Sequence, residues 1–335
     1  MTNARVRAGV AGAGYWGDNL VRNAHELGIL TAVCDPTPSI VARVRERYPH
    51  IAVFGDFEEL LRAPIDAVII AAPAHLHAPL ALRAIAAGKH VFIEKPLALS
   101  VEDGEAIEHT AQRAGVVAFV GHLLLYHPAL RRLLELVESG RIGDVWHVRS
   151  RRLNLGKLRA HESVWWSFAP HDIAVMLEIL KSTPTAVRAS YSGHLNDAIC
   201  DAAYADFSFA SGTSAHIEVG WLDPGKNQRL DVFGTEGVIT FEDARSGAAL
   251  RLTPCGARRN AEETLELWRE DAVDVPFEHG EPLRLELEAF CDAVVTGREP
   301  LTGAREGVEV LRALTMADES ALNSHFRPEV FAQHA

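Results

Sequence analysis

Short apolar runs alternate with amphipathic stretches over the first third of the chain, a pattern typical of strands separated by helices. Helix stops close these stretches, with Gly88 after Leu80–Ala87 and Gly115 after a helix that Ser100 can cap. The predicted strands are Val6–Ala11, Ile29–Cys34, Ala52–Phe54, Ala67–Ala71, His90–Ile93 and Val116–Val120. Nearly continuous apolar strands that alternate with helices indicate a parallel, doubly wound sheet.

The pattern changes after residue 122, where strands follow one another through short turns such as 234–237. The predicted strands are Asp144–Leu153, Ala186–Leu195, Ala202–Phe209, Ser214–Trp221, Arg229–Gly234 and Val238–Phe241. Helices are predicted at Tyr15–Leu27, Pro128–Ser139, Trp165–Leu180, Leu283–Thr296 and Gly303–Ser320. The polar segment 255–270 is expected to be a peripheral excursion. This half is therefore predicted to be an α+β domain with an open-faced, largely antiparallel sheet.

A length of 335 residues fits two domains better than one small core. The expected division is a parallel-sheet domain over 1–122, a substrate-binding and oligomerisation domain over 123–323, and a tail over 324–335. A sheet with helices on one face needs cover on the other. Self-association into a homo-oligomer, a dimer or tetramer, is the simplest way to supply that cover.

A glycine-rich turn directly follows the first predicted strand, in the segment 10–17. Gly12 allows a sharp turn, Gly14 allows backbone to approach a pyrophosphate, and Gly17 allows the next helix to lie close to the sheet. The N-terminus of that helix directs its N–H groups and dipole at the phosphates. Strand, glycines, helix, second strand and a carboxylate occur in the order of a dinucleotide-binding Rossmann domain.

The carboxylate at the tip of the second strand is Asp35. It can accept hydrogen bonds from both hydroxyls of the adenosine ribose, and it would repel a 2'-phosphate. The next residues, 36–38, contain no Arg or Lys that would reverse this preference. NAD is therefore the predicted cofactor, in preference to NADP.

The charge, the cysteine content and the apolar segments of the chain limit its partners and its cellular compartment. The formal net charge of −12 disfavours a nucleic-acid partner, because binding a phosphate backbone requires a Lys/Arg surface. The four cysteines form no CxxC pair, which favours a reducing compartment. No signal-like apolar core follows Met1, and the most apolar stretch, 67–87, is too polar to span a bilayer. A cytoplasmic protein with no membrane partner and a small-molecule substrate is expected.

Two histidines, His75 and His77, have a spacing that could suggest a metal site. No nearby carboxylate or cysteine completes it, and hydride transfer to NAD requires no metal. No metal is therefore predicted.

Three segments go beyond a generic dinucleotide-binding domain: 71–77 (AAPAHLH), 94–96 (EKP) and 169–172 (APHD). In this order and spacing the chain resembles the glucose-fructose oxidoreductase/inositol dehydrogenase (Gfo/Idh/MocA) family over both domains. The branch that contains nucleotide-sugar 3-dehydrogenases is resembled by residues 121–122, 126, 128–129, 150–156, 169–173, 220–224 and 281–283.

The resemblance implies catalytic roles for Lys95 and His171. Lys95 would point at the reacting sugar carbon, beside Glu94 at the nicotinamide ribose and Pro96 in a turn that a cis bond can shape. His171 would face Lys95 across a cleft and take the hydroxyl proton, which suits imidazole because it titrates near neutral pH. The roles of base and polariser could also be exchanged. Ser167 departs from the Asp or Asn that many relatives carry four residues before this histidine.

The remaining implied contacts divide into two sets. The cofactor set is Gly12, Gly14, Tyr15, Trp16, Gly17, Asp35, Pro73, His77, Glu94, Pro96 and His122. The substrate set is Tyr126, Arg152, Asn154, Ser167 and Asp172. Neighbouring residues on a strand point to opposite faces, so only one of Arg151 and Arg152 is expected to serve the site.

The predicted function is NAD-dependent oxidation of a ring secondary hydroxyl, at C3, of a nucleotide sugar to a 3-keto sugar that feeds amino-sugar biosynthesis. A second possibility is a C3 dehydrogenase for a sugar ring of an aminoglycoside antibiotic intermediate. Its ammonium groups would suit the candidate acidic contacts Glu162, Asp172, Asp201 and Asp223. An NADPH-dependent 3-ketoreductase and a non-catalytic dinucleotide-binding regulator are the third and fourth possibilities.

Overall fold

The structure is a computed structural model that describes residues 6–156, 162–195, 199–244, 247–260 and 263–322. The chain divides into two compact units, Met1–Tyr126 with Gly280–Leu311, and His127–His279 with Arg312–Ala335. Residues 280–311, which the sequence division assigned to the second domain, thus cluster with the first unit. The predicted tail, 324–335, lies outside the described residues.

The strands are β1 Ala8–Ala11, β2 Leu30–Cys34, β3 Ala52–Phe54, β4 Ala67–Ile70, β5 His90–Glu94, β6 Ala118–Gly121, β7 Val145–Leu155, β8 Ala186–Ser192, β9 Ala202–Ser208, β10 Ser214–Gly220, β11 Leu222–Gly234, β12 Gly237–Ala244, β13 Gly247–Arg259, β14 Leu265–Arg269 and β15 Val273–Asp274. The α-helices are α1 Gly17–Glu26, α2 Pro38–Arg47, α3 Phe57–Arg62, α4 His77–Ala86, α5 Val101–Ala114, α6 Pro128–Glu138, α7 Val164–Leu180, α8 Pro282–Thr296 and α9 Ala304–Leu322. Short 3-10 helices lie at Ala74–Leu76 and Leu123–Tyr126.

The first unit contains a six-stranded sheet in the order β3-β2-β1-β4-β5-β6, with every described pair parallel. The predicted doubly wound α/β arrangement is confirmed. Helix α5 begins as expected, since the Ser100 hydroxyl accepts from the Asp103 N–H at 3.1 Å. It ends at Gly115, whose φ of +65° suits glycine.

An aromatic cluster on β5, β6 and α8 forms part of the first unit's core. Phe92 stacks on Phe119 at 5.2 Å between ring centroids, and Phe290 meets both rings edge-on at 5.7 and 5.6 Å. Edge-on and offset contacts are favourable for aromatic rings. Helix α8 is therefore fixed against the two strands whose C-terminal ends carry Glu94 and Gly121.

The second unit contains a nine-stranded sheet in the order β14-β13-β12-β11-β7-β10-β9-β8, with β15 paired to β13. Its described pairs are antiparallel except β7 with β10, which is parallel. The predicted largely antiparallel sheet is confirmed. The predicted excursion over 255–270 contains the end of β13 and β14, which pair antiparallel. The polar composition concealed this hairpin because β14 is an exposed strand.

One face of the second sheet is covered by α7, while the other carries polar side chains. On β7, Val148, Ser150 and Arg152 are buried, whereas Arg149 and Arg151 are not. This alternation is expected for a strand with one covered face. Trp165 of α7 stacks on Phe207 of β9. Within the described part of the chain, no helix is long and apolar enough to cross a membrane.

Candidate functional site

The turn after β1 has the geometry of a phosphate-binding loop. Gly12 has a φ of +92°, and a side chain there would place a Cβ atom 2.7 Å from the Ala71 carbonyl oxygen. At Gly17 a Cβ atom would lie only 2.1 Å from the Gly12 oxygen, so α1 can begin here only with glycine. At Gly14 nothing lies within 4 Å of the equivalent point. The loop is therefore tightly packed at Gly12 and Gly17, whereas at Gly14 there is space for a pyrophosphate to approach the backbone.

Asp35 lies at the end of β2 and is 5 % exposed. Its two carboxylate oxygens accept hydrogen bonds from the Ala13 and Thr37 N–H groups, each at 2.9 Å. A carboxylate has about four lone-pair positions, so acceptor capacity remains for ribose hydroxyls. Asp35 therefore both fixes the glycine loop and fits the role that its position predicts.

Arg43 of α2 was not anticipated at this site. Its guanidinium donates to the Ala13 carbonyl oxygen at 2.5 Å, and it lies 3.7 Å from Asp18. Residues 36–38, which directly follow Asp35, contain no cation. Arg43 lies eight residues after Asp35, and helix α2 brings it back to the glycine loop. Its spacing from Asp35 along the chain gave no indication of this contact.

The loop after β4 contains Pro73 and His77. Pro73 is exposed, whereas His77 is 2 % exposed. The His77 ring nitrogens lie 2.7 Å from the Pro96 carbonyl oxygen and 2.8 Å from the Ala72 oxygen. His77 thus ties the loop after β4 to the loop after β5, and its contribution to a cofactor site would be to hold these two loops together.

Glu94 ends β5 in a buried position, where it is 7 % exposed. Its carboxylate accepts from the Trp16 indole N–H at 2.6 Å and from the Lys95 backbone N–H at 3.2 Å. Burial raises the pKa of Glu94 to about 6, although both hydrogen bonds and the Lys95 charge favour the ionised form. Because Trp16 belongs to the glycine loop, its hydrogen bond to Glu94 joins this loop to the end of β5. The neighbouring Tyr15 is 89 % exposed.

Lys95 and Pro96 follow directly, joined by a cis peptide bond. The charge of Lys95 acts on His122, which is 1 % exposed after β6. Burial first, and that charge second, lower the pKa of His122 to about 3. His122 is therefore a neutral imidazole, and neither ring nitrogen has a hydrogen-bond partner among the described residues. A neutral imidazole offers one donor and one acceptor at the end of β6.

Tyr126 is buried in the first unit. It is 8 % exposed, its hydroxyl lies 3.0 Å from the Thr302 hydroxyl, and its ring stacks on Phe119 at 5.7 Å. These contacts make it a packing residue that joins the segment after β6 to the segment before α9.

In the second unit, His171 lies within α7 and is half-buried. The helix begins after Ser163, whose hydroxyl accepts from the Trp166 N–H at 3.3 Å. Ser167, the departure from the family pattern, is 2 % exposed on the same helix. Trp165 and Trp166 are also buried, and their indole N–H groups donate to the Leu314 carbonyl and the Asp318 carboxylate, as is usual for core tryptophans.

Arg152 and Asp172 bind each other. The Arg152 guanidinium donates to the two Asp172 oxygens at 2.7 and 3.1 Å, and the Ser150 hydroxyl donates to the same carboxylate at 2.6 Å. Arg151 pairs instead with Glu218 at 3.0 Å and is more exposed. The two arginines therefore point to opposite faces of β7, as expected from strand alternation. The buried one, Arg152, is bound by Asp172, the residue next to His171.

Asn154 lies near the end of β7, beside Trp221. A Cβ atom on Gly156 would meet the Asn154 side-chain oxygen at 2.7 Å and the Trp221 ring at 3.2 Å. The Asn154 side-chain oxygen is buried and has no hydrogen-bond partner among the described residues. Trp221 is itself 1 % exposed and packs edge-on with Phe168 of α7.

Two family models match the chain. The model described as an oxidoreductase family with an NAD-binding Rossmann fold matches residues 6–122, and the Gfo/Idh/MocA C-terminal domain matches residues 130–240. The chain belongs to the Gfo/Idh/MocA oxidoreductase family. It is an oxidoreductase with an NAD-binding Rossmann domain, and NAD is its cofactor. The residues described above fit this cofactor, because the turn is open at Gly14 and Asp35 retains acceptor capacity.

Curated members of the Gfo/Idh/MocA family are distant in sequence. The scyllo-inositol 2-dehydrogenase (NAD(+)) of Bacillus subtilis is 27 % identical over 317 residues, which covers 89 % of this chain and 88 % of the relative. The 2,7-anhydro-N-acetylneuraminate hydratase of Escherichia coli is 26 % identical over 264 residues, covering 74 % and 70 %. Relatives at this distance therefore include differently named activities.

Among solved structures, a UDP-N-acetylglucosamine 3-dehydrogenase, GnnA from Acidithiobacillus ferrooxidans, has a TM-score of 0.82 at 25 % identity and covers 94 % of this chain and 97 % of its own. The WlbA dehydrogenase from Bordetella pertussis, solved with NADH and UDP-GlcNAcA, has a TM-score of 0.77 at 20 % identity, covering 95 % and 97 %. The WlbA likeness shows a shared fold. No group of three or more His, Cys, Asp or Glu side chains suited to a metal occurs in the described ranges.

Proposed function

We propose that this Gfo/Idh/MocA enzyme oxidises a ring secondary hydroxyl, at C3, of a nucleotide sugar to the 3-keto sugar. The observation that carries the proposal is the arrangement at the end of β5. There a buried Glu94 is joined to the glycine loop by Trp16, and Lys95 follows it directly. The likeness to a UDP-N-acetylglucosamine 3-dehydrogenase along 94 % of the chain supports the substrate class.

In this proposal Lys95 polarises the hydroxyl oxygen, while His171 accepts its proton as general base. NAD, when bound, would supply the acceptor for the hydride that leaves the same carbon. One C–H and one O–H bond are broken and a C=O bond forms, so the carbon is oxidised by two electrons. His122 suits this setting because it stays neutral and adds no second positive charge beside Lys95.

The ionisation of Glu94 matters for the same step. Its pKa is about 6, so the carboxylate predominates above pH 6 and can accept a hydrogen bond from the nicotinamide ribose. Below pH 6 the neutral acid would neither accept as strongly nor balance a cationic nicotinamide. Affinity for NAD is therefore expected to weaken as the pH falls through 6.

An aminoglycoside substrate receives less support from the acidic side chains proposed for it. Asp172 is engaged by Arg152 and Ser150. Asp201 accepts from the His194 ring at 2.7 Å, and Asp223 from the Gly225 N–H at 2.8 Å. Three of the four candidate carboxylates thus already have partners within the second unit.

The experiment is an assay of the purified protein and NAD against a panel of nucleotide sugars and aminoglycosides, with NADH absorbance recorded and the keto product identified by mass spectrometry. Lys95→Met and His171→Gln should each lower kcat by about 10²-fold or more. The matched controls are Lys89→Met, at the opposite end of β5, and His216→Gln, a histidine paired with Asp206 on β9. Unchanged turnover in both test variants would refute the assigned roles, and NADH formation only with aminoglycosides would refute the substrate class.

We also propose that a second copy of the chain covers the polar face of the second sheet. This face carries cross-strand ion pairs, Arg151–Glu218 and Arg149–Asp231, beside Tyr204, which is 43 % exposed. Tyr204→Arg should reduce the sedimentation mass to that of one chain. Leu267→Arg, on the exposed strand β14, should not. A single-chain mass for the unmodified protein would refute the proposal.

A further inference from the structure

Helix α8 contains a buried acidic side chain that the proposed reaction does not use. The buried face of this helix comprises Leu283, Glu286, Leu287, Phe290 and Ala293. At this helical spacing all five positions lie on the covered face, where apolar residues are expected. Glu286 is 0 % exposed, and neither carboxyl oxygen has a hydrogen-bond partner among the described residues.

The surroundings of Glu286 follow from the aromatic cluster. Phe290, one helical turn later, contacts Phe92 and Phe119, which are directly paired on β5 and β6. The next pair on the same face of these strands is Glu94 with Gly121. Gly121 has no side chain, and a Cβ atom there would lie 3.2 Å from the Glu94 carboxyl group. The Glu94 carboxyl therefore occupies the layer beside the aromatic cluster.

Glu286 precedes Phe290 by one helical turn on the same buried face of α8, so it lies on the side of the helix that packs against this cluster. Burial raises the pKa of Glu286 well above its usual value, and the charge of Glu94 raises it further. Two buried carboxyl groups so related cannot both ionise at moderate cost. Since Trp16, the Lys95 N–H and the Lys95 charge all stabilise an ionised Glu94, the proton belongs on Glu286.

We propose that Glu286 is a neutral carboxylic acid and a positioning residue for Glu94, toward which it directs its hydroxyl hydrogen when Glu94 holds the cofactor. An acid kept neutral by an apolar site can serve as a hydrogen-bond donor at neutral pH. A leucine at this position would fill the core but could not donate. This inference rests on the proposed contact of Glu94 with the nicotinamide ribose.

The other polar and charged groups around Glu94 and Glu286 come from four neighbouring segments. The glycine loop contributes the Trp16 N–H, β5 contributes Lys95, and the segment after β6 contributes the neutral His122. From α1, Asn23 donates to Glu281 at 2.9 Å, and its side-chain oxygen is buried without a described partner. In the described chain Lys95 is the cation whose charge acts on Glu94.

The test compares Glu286→Gln, which keeps a donor and cannot ionise, with Glu286→Leu, which removes the donor. Equilibrium binding of NAD would be titrated by protein fluorescence from pH 5.5 to 8.5. Glu286→Gln should keep the pH midpoint of binding. Glu286→Leu should move the midpoint upward, because the Glu94 carboxylate loses a donor, so that affinity at pH 6.5 falls by about three- to tenfold and converges with that of the unmodified protein at high pH.

Thermal unfolding supplies a second readout. A group whose pKa is raised on folding contributes stability that is present at low pH and is lost as the pH rises. Both variants should therefore gain in melting temperature relative to the unmodified protein as the pH rises. Parallel melting curves across the pH range would overturn the assignment of a neutral acid.

A binding midpoint that Glu286→Leu leaves unchanged would overturn the positioning role. Glu94→Gln distinguishes this failure from failure of the underlying site. If Glu94→Gln has the same NAD affinity as the unmodified protein at every pH, Glu94 does not hold the cofactor. If Glu94→Gln weakens binding while Glu286→Leu has no effect, the Glu94 contact stands and the inference about Glu286 alone is wrong.

Discussion

Removing the partner of Asp172 provides a direct test of how the second unit holds its candidate catalytic helix. Arg152→Met deletes the guanidinium that makes two hydrogen bonds to Asp172, a residue only 4 % exposed. The buried carboxylate would keep the Ser150 hydroxyl but lose its counter-charge. Breaking a buried pair in this way costs about 3–5 kcal/mol.

The matched control is Arg151→Met, one residue earlier on the same strand. Arg151 pairs with Glu218, and the side chains in this pair are 38 % and 23 % exposed. A pair with this access to solvent contributes about 0–1 kcal/mol. In a unit of this size each kcal/mol corresponds to about 2–4 °C in melting temperature, so Arg152→Met should lower the midpoint by about 6–20 °C and Arg151→Met by at most about 4 °C.

The assay is thermal unfolding followed by tryptophan fluorescence, since Trp165 and Trp166 lie in α7. Equal, small shifts in the two variants would refute the reasoning. The double variant Arg152→Met/Asp172→Leu replaces the pair by apolar side chains and should recover most of the loss. If the double variant shows a raised KM with unchanged kcat, Arg152 or Asp172 also contacts substrate, as the sequence predicts.

Three further predictions concern the cofactor. Gly17→Ala should abolish NAD binding in calorimetric titration, because its Cβ atom would lie 2.1 Å from a carbonyl oxygen. Gly14→Ala should only weaken NAD binding and leave the melting temperature unchanged, because nothing lies within 4 Å of its Cβ position. Equal melting temperatures for the two variants would contradict the packing argument. Asp35→Ser should shift the NADP-to-NAD affinity ratio by about tenfold toward NADP, because the carboxylate that would repel a 2'-phosphate is removed while the Arg43 cation stays at the glycine loop. An unchanged ratio would show that Asp35 does not select the cofactor. Trp16→Phe should raise the pKa of Glu94 above 6 and so weaken NAD at pH 6.5 more than at pH 8.5; an equal loss at both pH values would argue against this link.

Local patterns predicted the first unit well because its strands are buried on both faces. Every predicted strand there is present within two residues at either end, including the three-residue strand Ala52–Phe54. The glycine turn and Asp35 were equally accessible, since their roles depend on residues adjacent in the chain. In the second unit, β14 was missed because this edge strand is largely exposed and has no buried face to mark it.

Residues whose roles depend on distant partners could not be predicted from local patterns. Arg152 and Asp172 were both assigned to substrate, yet a strand and a helix bring them into contact with each other. Tyr126 was assigned to the same set, but the segment before α9 supplies a partner for its hydroxyl from 176 residues away. Glu286 left no signal, because a glutamate on an amphipathic helix ordinarily faces water.

Residues 280–311 complete the first unit although they follow almost the whole of the second unit along the chain. Phe290 supplies the third ring of the aromatic cluster, and the Thr302 carbonyl accepts from the Val120 N–H at 2.7 Å. The second unit likewise takes Leu314 and Asp318 from α9 as acceptors for its core tryptophans. During synthesis, at about 5–20 residues per second, the nascent dinucleotide-binding half must wait about 10–40 s after its own sixth strand before α8 and α9 have been synthesised. A fragment ending near residue 126 should therefore be aggregation-prone, and a useful truncation of this protein must retain α8 and α9.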